Sequence, residues 1–371
     1  MDILVRTIDN PKPSFYDSSV GAKKPNNFYD SSVGAKKPNS QATKLCKFWA
    51  KGRCAFGSNC KFLHSWYLSG NGFSMLARLQ GHKKAVVGIA LPSGSDQLYT
   101  GSRDGTVRVW DCKSGNCNHV INLGFEIYSF ICEGSWVFIG LSNSVRVWSL
   151  SESDIKEFSL DGPVGRVYAL AVYKDMLFAG AANGDILVWK GSFEENPFKL
   201  VANIRAHKMP ITCLNIGFNG KFLYSGSMDS TVKVWDLETL QCNQILEGHN
   251  DVVMSLLSWD NCLLTCSLDH TVKFWVIKEG EGKLLEQVHT KEEKAGVLKV
   301  IGMQDSQGKP VVLCSGNDNC VRLYDLESFT ERDAERDRIF AEQEVREIQR
   351  GPHGLFFTGD ASGVVTVWIW Q

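Results

Sequence analysis

Three cysteines and a histidine stand close together in CKFWAKGRCAFGSNCKFLH, residues 46–64, with the spacing Cys46-x7-Cys54-x5-Cys60-x3-His64. Three thiolates and one imidazole complete a tetrahedral Zn²⁺ shell and leave no open position for a substrate, so the chemistry they support is structural. So short a segment buries too little apolar surface to fold unaided, and the binding free energy of the metal has to act as its folding free energy. The expected cofactor is one structural zinc ion.

A second set of chemically suggestive residues recurs three times. His82, Ser102, Asp104 and Trp110 form the first set, His207, Ser227, Asp229 and Trp235 the second, and His249, Ser267, Asp269 and Trp275 the third. Serine, histidine and aspartate together bring a hydrolase to mind. An enzyme needs one activated nucleophile, however, and threefold repetition of one set argues for a structural role. No catalytic residues are expected, and the protein reads as non-enzymatic. The chain has 12 cysteines. Outside the 46–64 cluster they are scattered, which reads as reduced thiols that behave as small buried hydrophobes, not as a disulfide framework.

More than the ligands is patterned in residues 46–64. Lys47-Phe48 follows the first cysteine, Gly52 precedes the second, Phe56-Gly57 follows it, and Lys61-Phe62 precedes His64. This pattern resembles the CCCH zinc-finger family. The resemblance implies that Phe56 and Phe62 stack between unpaired bases, while backbone groups and nearby basic side chains such as Lys47, Arg53 and Lys61 meet base edges and phosphates. General physics agrees, since every base offers a π-face and each stack is worth about 1–3 kcal/mol. Five basic residues (Lys44, Lys47, Lys51, Arg53, Lys61) and no acidic one occupy 44–64. With Zn²⁺ and three thiolates the formal charge is about +4, which draws phosphates in a salt-dependent way. Phe48 and Trp49 are further candidate contacts, with packing around the zinc as their other reading. The lead-in ATKLC lacks the basic-aromatic lead-in of the fingers that read AU-rich RNA, so that specificity is not implied.

These residues need a frame to hold them. Residues 1–43 are polar and contain a tandem copy, FYDSSVGAKKPNN at 15–27 and FYDSSVGAKKPNS at 28–40. So polar a repeat cannot bury a core, and the segment is expected to be a disordered tail. Its Lys-Lys-Pro ends fit part of a nuclear import signal or a linker without a specific role. From about residue 75 onward, short runs rich in Val, Ile, Phe and Trp alternate with Gly, Asp, Asn and Ser turns, an all-β pattern. LYTGSRDGTVRVWD (98–111), LYSGSMDSTVKVWD (223–236) and LLTCSLDHTVKFWV (263–276) are variants of one another. Weaker copies end at Trp148, Trp189, Tyr324 and Trp368. A period near 43 residues that closes on Trp-Asp, with an upstream Gly-His, resembles the WD-repeat family.

That resemblance implies a seven-bladed β-propeller, in which each His-Ser-Asp-Trp set forms a buried hydrogen-bonded tetrad. Asn183 and Ser362 stand where Asp is expected, so those blades should lean on apolar packing. The last unit ends after its third strand, and SMLARLQ (74–80) is expected to supply the outer strand that closes the ring. The charged stretches 278–296 and 327–345 read as solvated loops or short helices.

The chain thus divides into a tail (1–43), a CCCH finger (44–66) and a seven-bladed WD-repeat propeller (74–371). Residues 1–65 carry 11 Lys/Arg against 4 Asp/Glu within a chain of net charge −1, so the head is basic and the body acidic. No apolar run reaches the ~18–20 residues that span a bilayer, and MDILVRTIDN has no long apolar region or small-residue cleavage site. A nuclear location is expected, with a cytoplasmic pool as the second option, and no membrane or small-molecule substrate among the partners.

A finger ahead of seven WD-type repeats resembles a family of plant proteins with this architecture. The function expected is a non-enzymatic adaptor: the finger binds nucleic acid, with single-stranded RNA favoured over DNA, and the propeller recruits proteins through turn residues Arg103, Met228 and Leu268, of which the last two should face solvent. The alternative is a protein scaffold or ubiquitin-ligase substrate receptor whose finger is structural. Against it, WDCK and WDLE lack the x-Arg that follows Trp-Asp in many ligase-docking propellers.

Overall fold

The computed structural model describes residues 44–370 apart from 69–71, 93–94, 151–154, 192–197, 218–219, 279–284, 327 and 333–336. The tandem repeat and the rest of the segment read as a disordered tail lie outside the described residues.

Among the described residues, Val-, Ile- and aromatic-rich runs become antiparallel strands gathered in six hydrogen-bonded sheets. One of these is seven-stranded. Within it, the strand Ile155–Tyr173 pairs with Ser142–Leu150 through Asp161 and with Met176–Ala181 from Val167 onward, so one strand serves as the outer member of one group and the inner member of the next. Divided at that point, the described sheets comprise seven successive groups, six of four strands and one of five. Their inner strands pack in order: Val86–Ala90, Ser129–Glu133, the second half of Ile155–Tyr173, Ile211–Ile216, Val253–Trp259, Val297–Gln304 and Val345–Arg350, and the last packs on the first. Together they surround a channel of 920 Å³. This is the arrangement of a WD-repeat β-propeller.

The core lies between neighbouring sheets, not within any one of them. Leu98 and Trp110 of the first group share a cluster with Phe357, Val365 and Val367 of the last. Phe73, Phe356, Trp368 and Trp370 join Leu313, Val321 and Leu323 in another. Middle strands such as Phe222–Ser227 are buried at every position because sheets cover both faces. Tight turns join the strands. At Gly363, φ is +93° and an added Cβ would lie 2.4 Å from the His82 carbonyl oxygen, so glycine is required there on two counts.

SMLARLQ plays the expected part: Phe73–Leu79 pairs with Val365–Trp370, from Phe73 opposite Trp370 to Leu79 opposite Val365. The charged stretches are corrected. Leu285–Glu292 and Arg338–Phe340 are outer strands, paired with Thr271–Ile277 and Cys320–Asp325. An outer strand needs few buried positions, and Leu285 is the one buried residue of the first, so its composition reads like a loop.

The repeated His-hydroxyl-Asp-Trp networks exist, with one member reassigned. Trp110 Nε1 donates to Thr100 Oγ1 (2.8 Å), which also bonds His82 Nε2 (2.8 Å), and His82 Nδ1 faces Asp104 (3.1 Å). Ser225 links His207 and Trp235 in the same way, and Thr265 links His249 and Trp275. Ser102, Ser227 and Ser267 are not the linking hydroxyls. Each instead donates to a backbone carbonyl in the preceding turn and accepts from the amide of its Asp, two residues on. Residues two apart on a strand share a face, which is why the sequence pattern admits either hydroxyl.

Three of the other four groups give their closing aromatic an acceptor without the full network. Tyr324 donates to Glu293 (2.6 Å), Trp148 to Glu157 (3.2 Å) and Trp368 to Thr358 (2.9 Å). Where Asp is missing at 362, Asp360 accepts from the amides of Ser362 and Val364 (both 3.0 Å).

Candidate nucleic-acid interface

The finger is built almost wholly from turns. Cys46 caps a one-turn helix, Lys47–Ala50, its sulfur accepting from Trp49 N (3.4 Å) and its carbonyl from Ala50 N (2.9 Å). Gly52, at φ +67°, turns the chain back towards Cys54. A short 3₁₀ turn, Gly57–Asn59, leads into Cys60, whose sulfur accepts from Phe62 N (3.5 Å). The two ends are tied by Cys46 N to Leu63 O and Leu63 N to Lys44 O, both 2.9 Å.

These turns bring the four ligands together. One donor atom from each of Cys46, Cys54, Cys60 and His64 lies within 4.8 Å of all the others. Cys60 Sγ is 3.7 Å from Cys46 Sγ, close to the edge of a tetrahedron with Zn–S bonds of about 2.3 Å. His64 Nε2 is buried and has no hydrogen-bond partner, a costly state for a polar atom and the one a metal ligand occupies. The residues fit zinc, and the site is a structural zinc centre that leaves no coordination position for a substrate.

The side chains around the centre separate into two kinds. Phe48, Phe56 and Phe62 are 69%, 70% and 53% exposed. Lys44, Lys47, Lys51, Arg53 and Lys61 are also exposed. Trp49, a candidate base contact whose other reading is packing around the zinc, shows that packing: its ring stacks on His64 (centroids 5.6 Å, planes 11° apart) and leans on Trp66 at 5.3 Å. That ring braces a zinc ligand. Phe48 is the reverse case, since its alternative reading as zinc packing fails on its exposure.

On the propeller, Arg103, Met228 and Leu268 all line the channel mouth. Arg103 is exposed, with its guanidinium 5.7 Å from the ring centre of Tyr128. Met228 and Leu268, expected to face solvent, are half-buried. Their amides bond Pro210 O (2.9 Å) and Val252 O (3.0 Å), which draws the turns inward over the channel. The neighbouring Met209 is 47% exposed.

Fold and site together define a zinc-finger, WD-repeat protein. The family profiles agree, with the CCCH-type zinc finger matching residues 44–65 and the WD domain, G-beta repeat, matching 73–111, 198–236 and 240–276. The three matched repeats are those that carry the complete His-hydroxyl-Asp-Trp network. The chain is 50% identical over 325 residues to zinc finger CCCH domain-containing protein 17 of Oryza sativa subsp. japonica, covering 88% of this chain and 72% of that protein. It is likewise 50% identical over 332 residues to zinc finger CCCH domain-containing protein 48 of Arabidopsis thaliana, covering 90% and 75%. Arabidopsis protein 63 of the same series is 49% identical over 333 residues, covering 89% and 74%. The chain belongs to this plant family of CCCH zinc-finger proteins with WD repeats.

Proposed function

We propose that the protein is a non-enzymatic adaptor that holds single-stranded RNA on its zinc finger and recruits a protein partner at the mouth of its propeller. The observation that carries this reading is the set of three exposed phenylalanines on a metal-ordered, wholly basic module. Exposing large rings to water is unfavourable, and base stacking would cover them while the lysines and arginine meet phosphates. No helix long enough to read a major groove adjoins the finger among the described residues, which favours single strands over duplex DNA. The finger contacts only a few nucleotides, so useful affinity comes from a second attachment through the propeller.

The test is fluorescence anisotropy of the zinc-loaded full chain with random single-stranded RNA, single-stranded DNA and duplex DNA. RNA binding is expected to weaken with salt and to lose about 1–3 kcal/mol with each of Phe56→Ala and Phe62→Ala. If no nucleic acid binds while the metal stays bound, the finger is structural and the protein is a scaffold.

For recruitment, the half-buried Met228 and Leu268 beside exposed Arg103 suit a partner segment with an apolar residue next to an acidic one. Met228→Ala with Leu268→Ala is expected to lose such a partner in pull-downs, and Arg103→Glu to lose it without a change in thermal stability. Unchanged recovery with both variants would move recruitment to another surface.

A further inference from the structure

His64 stands close in the chain to the segment that closes the ring, and residues 65–68, which follow it, are not a free linker. Leu63 is buried against Cys320 and Phe340, with Leu45 and Leu68 packed on the same cluster. The Trp66 carbonyl accepts from Phe340 N (2.8 Å). Tyr67–Leu68 then adds a fifth strand to its sheet, Tyr67 opposite Ile339 and Leu68 opposite Arg338. The Tyr67 ring meets Trp368 (5.7 Å) and Phe73 (5.9 Å), residues of the closing pair of strands.

A row of flat groups makes a second link. His64 stacks on Trp49, Trp49 leans on Trp66, and the Arg78 guanidinium lies 3.9 Å above the Trp66 ring. Arg78 belongs to the closing strand Phe73–Leu79. What holds this row in place is the ligand shell, because the helix that carries Trp49 is one turn long and buries none of its residues. The edge it covers is weak on its own: Arg338–Phe340 has three residues, and two-residue pairing adds little without a packed neighbour.

We infer that the zinc-held finger is a latch on the propeller. Its folding sets the cover strand Tyr67–Leu68 and seats Phe73–Leu79, so loss of zinc loosens the ring where it closes. The finger is then a structural part of the propeller, whether or not it binds nucleic acid.

Hydrogen–deuterium exchange of the full chain, zinc-loaded and after treatment with EDTA, tests this without RNA. Zinc removal is expected to speed exchange about tenfold in 73–79 and 338–340, with Phe222–Ser227 across the ring unchanged. Trp66→Ala is expected to keep one zinc per chain, exchange fast in 73–79 from the start, and respond little to EDTA. Arg78→Ala, outside the finger, serves the same purpose if Trp66→Ala fails to retain the metal. The inference is overturned by a zinc response confined to 44–65, by one spread equally to Phe222–Ser227, or by variants that keep the full wild-type response.

Discussion

With Cys60 replaced by Ser, the chain is expected to retain no zinc through gel filtration in the presence of EDTA, and residues 44–66 are expected to lose their fold. The four ligands are the main cohesion of a segment in which Cys46 and Leu63 alone among the described residues are buried. Structural zinc sites of this kind hold about 10–16 kcal/mol of apparent binding free energy at pH 7, far more than so small an apolar contact supplies. A hydroxyl is a poor substitute for a thiolate, and the neighbouring Cys46 sulfur and His64 Nε2 would be left without the shared partner that makes their burial tolerable. Metal content by atomic absorption and protease sensitivity near Arg53 and Lys61 are the readouts. One zinc per chain in Cys60→Ser after EDTA would remove Cys60 from the ligand set.

Ser225→Ala is expected to be the most damaging small substitution in the propeller. Its hydroxyl bonds both His207 Nε2 (2.7 Å) and Trp235 Nε1 (2.9 Å) in a fully buried position. Removing it strands two polar groups at about 1–3 kcal/mol each. Ser227→Ala, two residues on, is expected to cost less, about 1–2 kcal/mol, because the groups it leaves lie in a turn nearer water. Urea unfolding of both variants decides the matter, and equal losses would return the linking role to Ser227.

The same networks set an acid limit on stability. Burial pushes the imidazoles of His82, His207 and His249 below their ordinary 6.5, against the pull of the facing carboxylates, so they are neutral when folded. As pH falls below 6.5 the unfolded chain takes up protons that the folded chain refuses, and stability drops. Burial pushes Asp104, Asp229 and Asp269 up, but hydrogen bonds led by those from the hydroxyls of Thr106, Thr231 and Thr271 outweigh it and hold them below 3.8. Their contribution is lost at lower pH still. The thermal midpoint should therefore be lower at pH 5.5 than at pH 7, and a rise would contradict neutral buried histidines.

Much of this was legible because it repeats. The recurring aromatics that close each unit made the β-repeat legible, and the ligand spacing of residues 46–64 alone placed a zinc centre that His64 Nε2 then fits. What stayed hidden has physical reasons. Thr100 and Ser102 point the same way from one strand, so the three full repeats leave either hydroxyl open as the bridge; the signal that decides is the last unit, where Thr358 stands ten residues before Trp368 and Asp360, not a hydroxyl, eight before. Trp49 and Phe48 are adjacent and similar, and only the helix phase sends one onto His64 and the other to water. The seam between finger and propeller left no trace at all, since Leu45, Leu63, Cys320 and Phe340 are ordinary apolar residues far apart in the chain.

The pairing of Phe73–Leu79 with Val365–Trp370 carries a consequence for how the protein is made. Early in synthesis the ribosome releases a strand whose partner is encoded roughly 290 residues later. At about 5–20 residues per second the wait is ~15–60 s. Through that interval Met75 and Leu79 await their partner strand, and the first groups can form while the ring cannot. Growth of the nascent chain thus dictates that closure comes last, and the period of greatest risk from aggregation ends only when Trp368 and Trp370 leave the exit tunnel.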